Sequence, residues 1–273
     1  MNFRTLYNLN LEFVNLGGRV KYLLRLPSLQ KTLGLLKKNE QLISSRKNDT
    51  IYICGLGPSL ADVDLDKIAD MPNVDTLVCN YFVKMAETTK LKPTYYMMAD
   101  AGFVKPKHRP ALEKAIQLYP DTKFIWNSSF PALDPSTINY PCDKYFIAMY
   151  NGYYIKSKQY DITKVTPGFG NVICAAIGFA IGAGYKKIVL LGCDFNSFAF
   201  PHEVHCYDGG KDNNAARRIS LDFELFCYSF DATVHLKLAE YAHKMGVEII
   251  NSTKGSLIDA YPVVIDENLY KHD

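Results

Sequence analysis

From residue 50 onward, short runs of β-branched and apolar residues alternate with longer stretches whose apolar positions recur at helical spacing. The runs at 51–54, 76–79, 94–98, 123–126, 144–148, 187–191 and 247–250 predict strands. Residues 60–70, 105–118, 170–184 and 231–245 predict helices. Apolar runs this short suit strands covered on both faces, and their alternation with helices predicts an α/β fold built on a mainly parallel sheet. Ligands of such sheets bind beyond the carboxyl ends of the strands, so the residues just after each run are the first candidates for chemistry.

The front of the chain follows another pattern. Leucines at 23, 24, 26, 29, 33 and 36 interleave with cations at near-helical spacing, broken at Pro27. This predicts a basic amphipathic helical arm over 1–48, ahead of a single catalytic unit over 49–273. Residues 1–47 carry a net charge of +7 within a chain of net +3, so the remainder is acidic at −4. Such an arm would suit an anionic membrane surface or a partner; equally, it reads as a helix pair packed on the core with a solvated basic face. Nucleic acid is not an expected partner, because no aromatic and basic patch accompanies the charge.

Composition adds little beyond exclusions. The 273 residues are 48% apolar and 22% charged, which is ordinary for a globular protein and excludes disordered and collagen-like classes. Seven cysteines at 54, 79, 142, 174, 193, 206 and 227 contain no C-x-x-C pair, and several fall inside apolar runs. They read as reduced core thiols of a cytosolic protein rather than as a disulfide framework or zinc site. No segment reaches the roughly 18 to 20 apolar residues needed to cross a bilayer, and the N-terminus lacks an uninterrupted signal-type apolar region. The expected location is cytoplasmic, with the arm allowing a peripheral place on the inner face of the membrane.

Candidate chemistry begins at the first strand. Ile51-Tyr-Ile-Cys-Gly-Leu-Gly-Pro-Ser-Leu60 breaks from an apolar run into two glycines, a proline and a serine. Gly55 and Gly57 would let the backbone approach a ligand, and Ser59 could cap a helix whose free N–H groups face an anion. The plain alternative is a tight turn, since Leu60 stands where the dinucleotide fingerprint has its third glycine. Asn80, Asp100, Asn127 with Ser128, Asp194, and Asn251-Ser-Thr253 follow the later strands and would form a hydrogen-bonding rim. Thr166-Pro167-Gly168-Phe169-Gly170-Asn171 precedes an Ala/Gly-rich helix and offers a second helix N-terminus. Together the two helix starts would grip a phosphate and its sugar, although a Pro/Gly-rich lead-in to a core helix explains the second one equally well.

Several of these motifs, in this order, resemble the bacterial lipooligosaccharide sialyltransferases. They are Ile-Cys-Gly-Leu-Gly-Pro-Ser-Leu, Leu77-Val-Cys-Asn-Tyr81, Thr166-Pro-Gly before the helix ending in Gly184-Tyr-Lys-Lys-Ile188, Leu191-Gly-Cys-Asp-Phe195, and Asn251-Ser-Thr-Lys-Gly-Ser-Leu257. The likeness covers roughly residues 50–262 and extends to the wider superfamily with hydroxymethylpterin diphosphokinase-like and flagellin-modification proteins. It implies a Rossmann-like sheet that binds a CMP-activated sugar as co-substrate, without a metal or other cofactor. On that likeness Gly55, Leu56, Gly57, Pro58, Ser59, Asn80, Asp100, Thr166, Pro167 and Gly168 would line the nucleotide, with Asp194 supporting the floor. Leu56 replaces an asparagine of that family, Pro167 replaces a serine, and the family's histidine falls near Tyr228-Ser229.

Another base is offered by Pro201-His-Glu-Val-His-Cys-Tyr-Asp208, in a long polar loop after the Gly-Cys-Asp strand end. A loop of that length in a compact domain is more often a lid or binding loop than filler. A neutral imidazole suits removal of a proton from an acceptor hydroxyl, which makes His205, then His202, the candidate catalytic residues. With Glu203 they could instead bind a metal weakly or be solvated. Tyr207, Tyr150, Tyr153 and Tyr154 are candidate sugar contacts, as are Asn127 and Ser128, because tyrosine offers a flat apolar face with a polar tip. His235 and His243 read as surface or core histidines.

The resulting expectation is a glycosyltransferase moving a sugar, foremost an acidic one from a CMP donor, onto a glycan or glycolipid acceptor; a homo-oligomer is compatible with it. A Mg²⁺-dependent pyrophosphokinase using Asp100 and Asp194 and a non-catalytic nucleotide-binding protein are the competing readings.

Overall fold

The computed structural model describes residues 2–24, 26–150, 160–167, 170–200, 204–207 and 220–271. Its strands are β1 (Thr50–Cys54), β2 (Val74–Cys79), β3 (Tyr95–Met98), β4 (Lys123–Asn127), β5 (Asp143–Ile147), the two-residue β6 (Met149–Tyr150) and β7 (Thr166–Pro167), β8 (Lys187–Leu191) and β9 (Glu248–Asn251). Seven of them form one parallel sheet in the order β5-β4-β3-β2-β1-β8-β9, while β6 and β7 pair separately. Each of the seven predicted runs is a strand of this sheet, and the α/β architecture is as expected.

The helices are α1 (Phe3–Leu24), α2 (Leu26–Lys37), α3 (Glu40–Ser45), α4 (Leu65–Ala69), α5 (Arg109–Leu118), α6 (Phe130–Leu133), α7 (Val172–Gly182) and α8 (Leu221–Lys244). Strand residues alternate between two cores. Ile51, Ile53, Leu77, Met97 and Ile125 pack with α7 and α8 on one face. Cys54, Val78, Met98, Phe124 and Trp126 pack with α4, α5 and α6 on the other. Burial on both faces is why the strands read as unbroken apolar runs. Helix α7 is apolar all round, with Cys174 through Ile181 buried, because the sheet covers one side and α8 the other.

Two helix expectations need correction. The stretch 60–70 is a short 3₁₀ turn at Pro58–Asp62 followed by α4, restarted by Asp64, whose side chain accepts from the Lys67 N–H. Ser59 therefore lies inside a one-turn element and does not cap a long helix. The last long helix begins at Leu221 rather than 231; exposed Phe223, Leu225 and Phe226 blur the amphipathic pattern of its first turns.

The N-terminal region behaves in two ways. Phe3, Leu9, Phe13 and Leu16 of α1 are exposed, and Tyr7 ties the helix to α8 through the Ser229 carbonyl and Thr233 hydroxyl at 3.2 and 3.1 Å. Further on, Leu36 and Leu42 are fully buried in opposite cores, so this segment passes around the β5 edge of the sheet. There Lys38 Nζ donates to the Lys144 carbonyl at 3.0 Å and Asn39 Nδ2 to the Phe146 carbonyl at 2.8 Å. The edge strand is thus capped by side chains. All seven cysteines are free, and among the described residues no helix is long and apolar enough to cross a membrane.

Candidate active site

Strands β1 and β8 are neighbours where the strand order reverses, and a cleft of about 380 Å³ opens beyond their carboxyl ends. This is the crevice in which open α/β sheets place their ligands. It is lined by the loop after β1, Cys79 and Asn80 at the end of β2, the segment after β8, the start of α7, Val204 and His205, one face of α8, and Ile258.

The loop after β1 is closed by the protein itself. The Gly55 and Gly57 N–H groups donate to the Leu191 and Gly192 carbonyls at 2.7 and 2.9 Å. A Cβ on Gly55 would stand 2.3 Å from the Gly192 oxygen, and one on Gly57 1.9 Å from Asp194 Oδ2. Asp194 accepts from the Ser59 N–H through Oδ1 at 3.1 Å and from the Ser59 hydroxyl through Oδ2 at 2.8 Å. The first predicted anion site thus holds the chain's own carboxylate, and the glycines make room for it and for the crossing of β1 past β8. Burial pushes the Asp194 carboxyl above its ordinary range while the Ser59 bonds hold it down.

A second carboxylate meets the start of α7. Asn171 caps this helix by accepting from the Cys174 N–H at 2.8 Å. Beside it sits Asp231 of α8, only 7% exposed, with Oδ1 placed 2.1 Å from where a Cβ on Gly170 would lie. The Asn171 side chain and Gly170 N–H approach the carboxyl and favour its ionised form, but burial dominates and pushes its pKa up to about 6. Oδ1 itself meets no hydrogen-bond partner.

The cleft face of α8 carries Glu224, Tyr228, Asp231 and His235 in one helical stripe. Tyr228 and Ser197 hydroxyls lie 2.6 Å apart, which fixes the segment after β8. His235 is engaged on both ring nitrogens, Nδ1 with the Tyr261 hydroxyl at 3.0 Å and Nε2 with Cys174 Sγ at 3.4 Å, and burial lowers its pKa to about 4. Opposite, Asn80 and Phe195 adopt left-handed backbone at φ 50° and 58°, conformations rare outside glycine. Asn80 Oδ1 is buried and also lacks a partner. The segment 204–207 is tied to the first loop by the Cys206 N–H donating to the Leu56 carbonyl at 3.1 Å, which brings Val204 and His205 to the cleft.

No protein-family model matches the chain, and no curated protein matches it. Among solved structures, the MAf glycosyltransferase from Magnetospirillum magneticum AMB-1 superposes with a TM-score of 0.53 at 12% identity over 85% of this chain. The chain shares the fold of the part of that structure it covers. It spans 38% of that larger structure. The α-2,3-sialyltransferase Cst-I from Campylobacter jejuni aligns over 84% of both chains at 16% identity with a TM-score of 0.46. Sialyltransferase CstII from the same organism, in complex with cytidine-5'-monophosphate, aligns over 82% of this chain and 88% of its own at 17% identity, TM-score 0.46.

Of the residues singled out in the sequence, Leu56, Gly57, Pro58, Asn80, Asp194 and His205 line the cleft, with Gly55 and Ser59 bonded into its wall. Others serve local structure away from it. Asp100 is exposed and accepts from the Gly102 N–H at 2.8 Å; Asn127 donates to the Ala99 carbonyl at 2.8 Å; Ser128 N–H donates to the Ile147 carbonyl at 2.8 Å. Thr166 pairs with Met149, and its N–H donates to the Ala148 carbonyl at 2.9 Å; it is not part of the described cleft lining, and the Pro167 side chain lies outside the described residues. Tyr207 stacks on His205 at 5.1 Å and lies under Lys84 Nζ at 4.1 Å. Asn251, Ser252 and Thr253 are buried, Thr253 accepting from the Cys193 N–H at 3.1 Å. Gly168, His202, Tyr153, Tyr154 and the Tyr150 side chain lie outside the described residues. The Asp100 and Asp194 pair required for a pyrophosphokinase does not share the cleft, and among the described residues no group of three metal-ligating side chains forms.

Sequence reasoning missed the α8 stripe. Its only signal is spacing: Glu224, Tyr228, Asp231 and His235 recur at intervals of four, three and four, which places polar groups on one side of a helix.

Proposed function

We propose that this chain is a glycosyltransferase that moves a sugar from a nucleotide-activated donor to a hydroxyl acceptor bound in the cleft beyond β1 and β8. One observation supports this most: two buried acceptor oxygens, Asn80 Oδ1 and Asp231 Oδ1, lack partners and belong to residues lining the same cleft at the topological switch point. Buried polar atoms are rarely left unpaired, and hydroxyls of a sugar or ribose would satisfy both. The fold shared with the MAf glycosyltransferase structure is consistent with the reading.

The motif order in the sequence favours a CMP donor. The described lining carries three acidic side chains, Asp194, Glu224 and Asp231. Thermal unfolding with CMP, UDP and GDP, followed by release of nucleotide from neutral and acidic activated sugars, tests the nucleotide and the sugar. Absence of any nucleotide-dependent stabilisation and of any release would reject the transferase reading.

The exposed apolar residues of α1, with the +7 charge of residues 1–47, support placing the arm on an anionic membrane where a lipid-linked acceptor would be met.

A further inference from the structure

Proton removal from the acceptor needs a base within the cleft, and most groups there are already committed. Both oxygens of Asp194 hold Ser59. Both ring nitrogens of His235 are engaged and its burial opposes protonation. His205 arrives on the segment after β8 and stacks its ring on Tyr207. Asp231 differs from all three: it is fixed on a regular helix, walled by Gly170 at the start of α7, and keeps an oxygen with no partner.

We propose that Asp231 is the catalytic base that receives the proton of the acceptor hydroxyl; this rests on the glycosyl-transfer reading. As the acceptor O–H bond breaks, its proton passes to the Asp231 carboxylate and its oxygen bonds to the anomeric carbon of the donor sugar. The bond from that carbon to the phosphate oxygen breaks, and its electron pair stays on the leaving nucleotide. Asp231 returns the proton to solvent as product departs. Burial keeps the carboxylate more basic than an exposed aspartate yet ionised at neutral pH, which matches a base to its task.

The groups around Asp231 leave its titration legible. Cys174 of α7 and Cys227 and Tyr228 of α8 face it with their own pKa values raised, so they stay protonated near pH 6, and His235 stays neutral. Glu224 and Asp194 are the other acidic side chains of the described cleft lining, and His205 is its remaining imidazole.

The test uses the full chain and its Asp231→Asn and His205→Ala variants, with nucleotide-dependent thermal shift for binding and nucleotide release from CMP-, UDP- and GDP-sugars for turnover. The expected result is that D231N keeps the thermal shift but releases nucleotide about 100-fold more slowly or worse. Release by D231N within about threefold of the parent, with binding kept, overturns the role of Asp231 and leaves the transferase reading standing. Neither shift nor release in the parent protein sinks both. Should D231N fail to fold, the pH profile decides: an acid limb centred near 6 that survives in H205A supports Asp231. A limb that vanishes in H205A gives the base to the imidazole and overturns the proposal.

Discussion

Two carboxylates meet two helix starts in this molecule, and they are not equivalent. Asp194 lies at the 3₁₀ turn after β1 with both oxygens bonded to Ser59, while Asp231 lies at the start of α7 with Oδ1 unpartnered. Each sits where a glycine has given up its Cβ, Gly57 in one case and Gly170 in the other. The glycine-rich loop visible in the sequence is therefore a joint, built to lock β1 against β8. Unmet hydrogen-bonding capacity lies instead at Asp231, where α7 meets α8, and at Asn80 after β2. Satisfied polar groups hold a fold together; Asp231 Oδ1 and Asn80 Oδ1 lack partners on residues that line the cleft, whereas Asn39 Oδ1 and Trp126 Nε1 lack them away from it.

The largest effect that would break this contrast comes from the glycines. Gly57→Ala must displace Asp194 and forfeit both Ser59 bonds, an expected loss of about 3 kcal/mol in urea unfolding. Gly170→Ala presses on a carboxylate with less to lose and should cost about 1 kcal/mol while reducing turnover. Equal losses in the two variants would show that Asp231 is as firmly built in as Asp194.

Next in size is a pH effect. The Asp231 carboxyl has a folded pKa of about 6 against an unfolded value near 3.8, so its favourable contribution is complete below the unfolded value and is lost as pH rises through 6. D231N should therefore be more stable than the parent at pH 8 by about 2 to 3 kcal/mol, a gap that closes by pH 4. A gap independent of pH would show that the carboxyl is not buried as described. His235 has the opposite sign: its lowered pKa gives stability that is present above 6.5 and lost as pH falls toward 4, which His235→Gln should flatten.

Smaller still, Ser59→Ala removes one hydrogen bond to Asp194 and should cost about 1 to 2 kcal/mol without changing the KM for donor. At the bottom of the scale, Phe13→Ser on exposed α1 should change stability by less than about 0.5 kcal/mol. The same substitution should weaken sedimentation with anionic vesicles; unchanged sedimentation would remove the arm's proposed membrane role.

The sheet was legible because burial on both faces leaves an unambiguous trace, an apolar run such as Lys187–Leu191 bounded by polar residues. Helix α7 was legible for the same reason. What escaped were features fixed by tertiary contact: the break at Asp64 that splits 60–70, and the early start of α8, where Phe223 and Phe226 stand exposed. In the site, Asn80, Asp194 and His205 could be found because they follow strands. Asp231 could not, since one aspartate within a long helix carries no local sign that it will face Gly170 across the molecule.

The side-chain caps on β5 have a practical consequence for anyone trimming the basic front of the chain. Lys38 and Asn39 occupy outward carbonyls of an edge strand, and Asn39 Nδ2 also reaches the Ile162 carbonyl at 2.6 Å. A shortened protein starting at residue 48 would lose its guard against strand addition, and two molecules could then zip together along the bared margin. Truncations intended to shed only the exposed helix should keep everything from Leu26 onward.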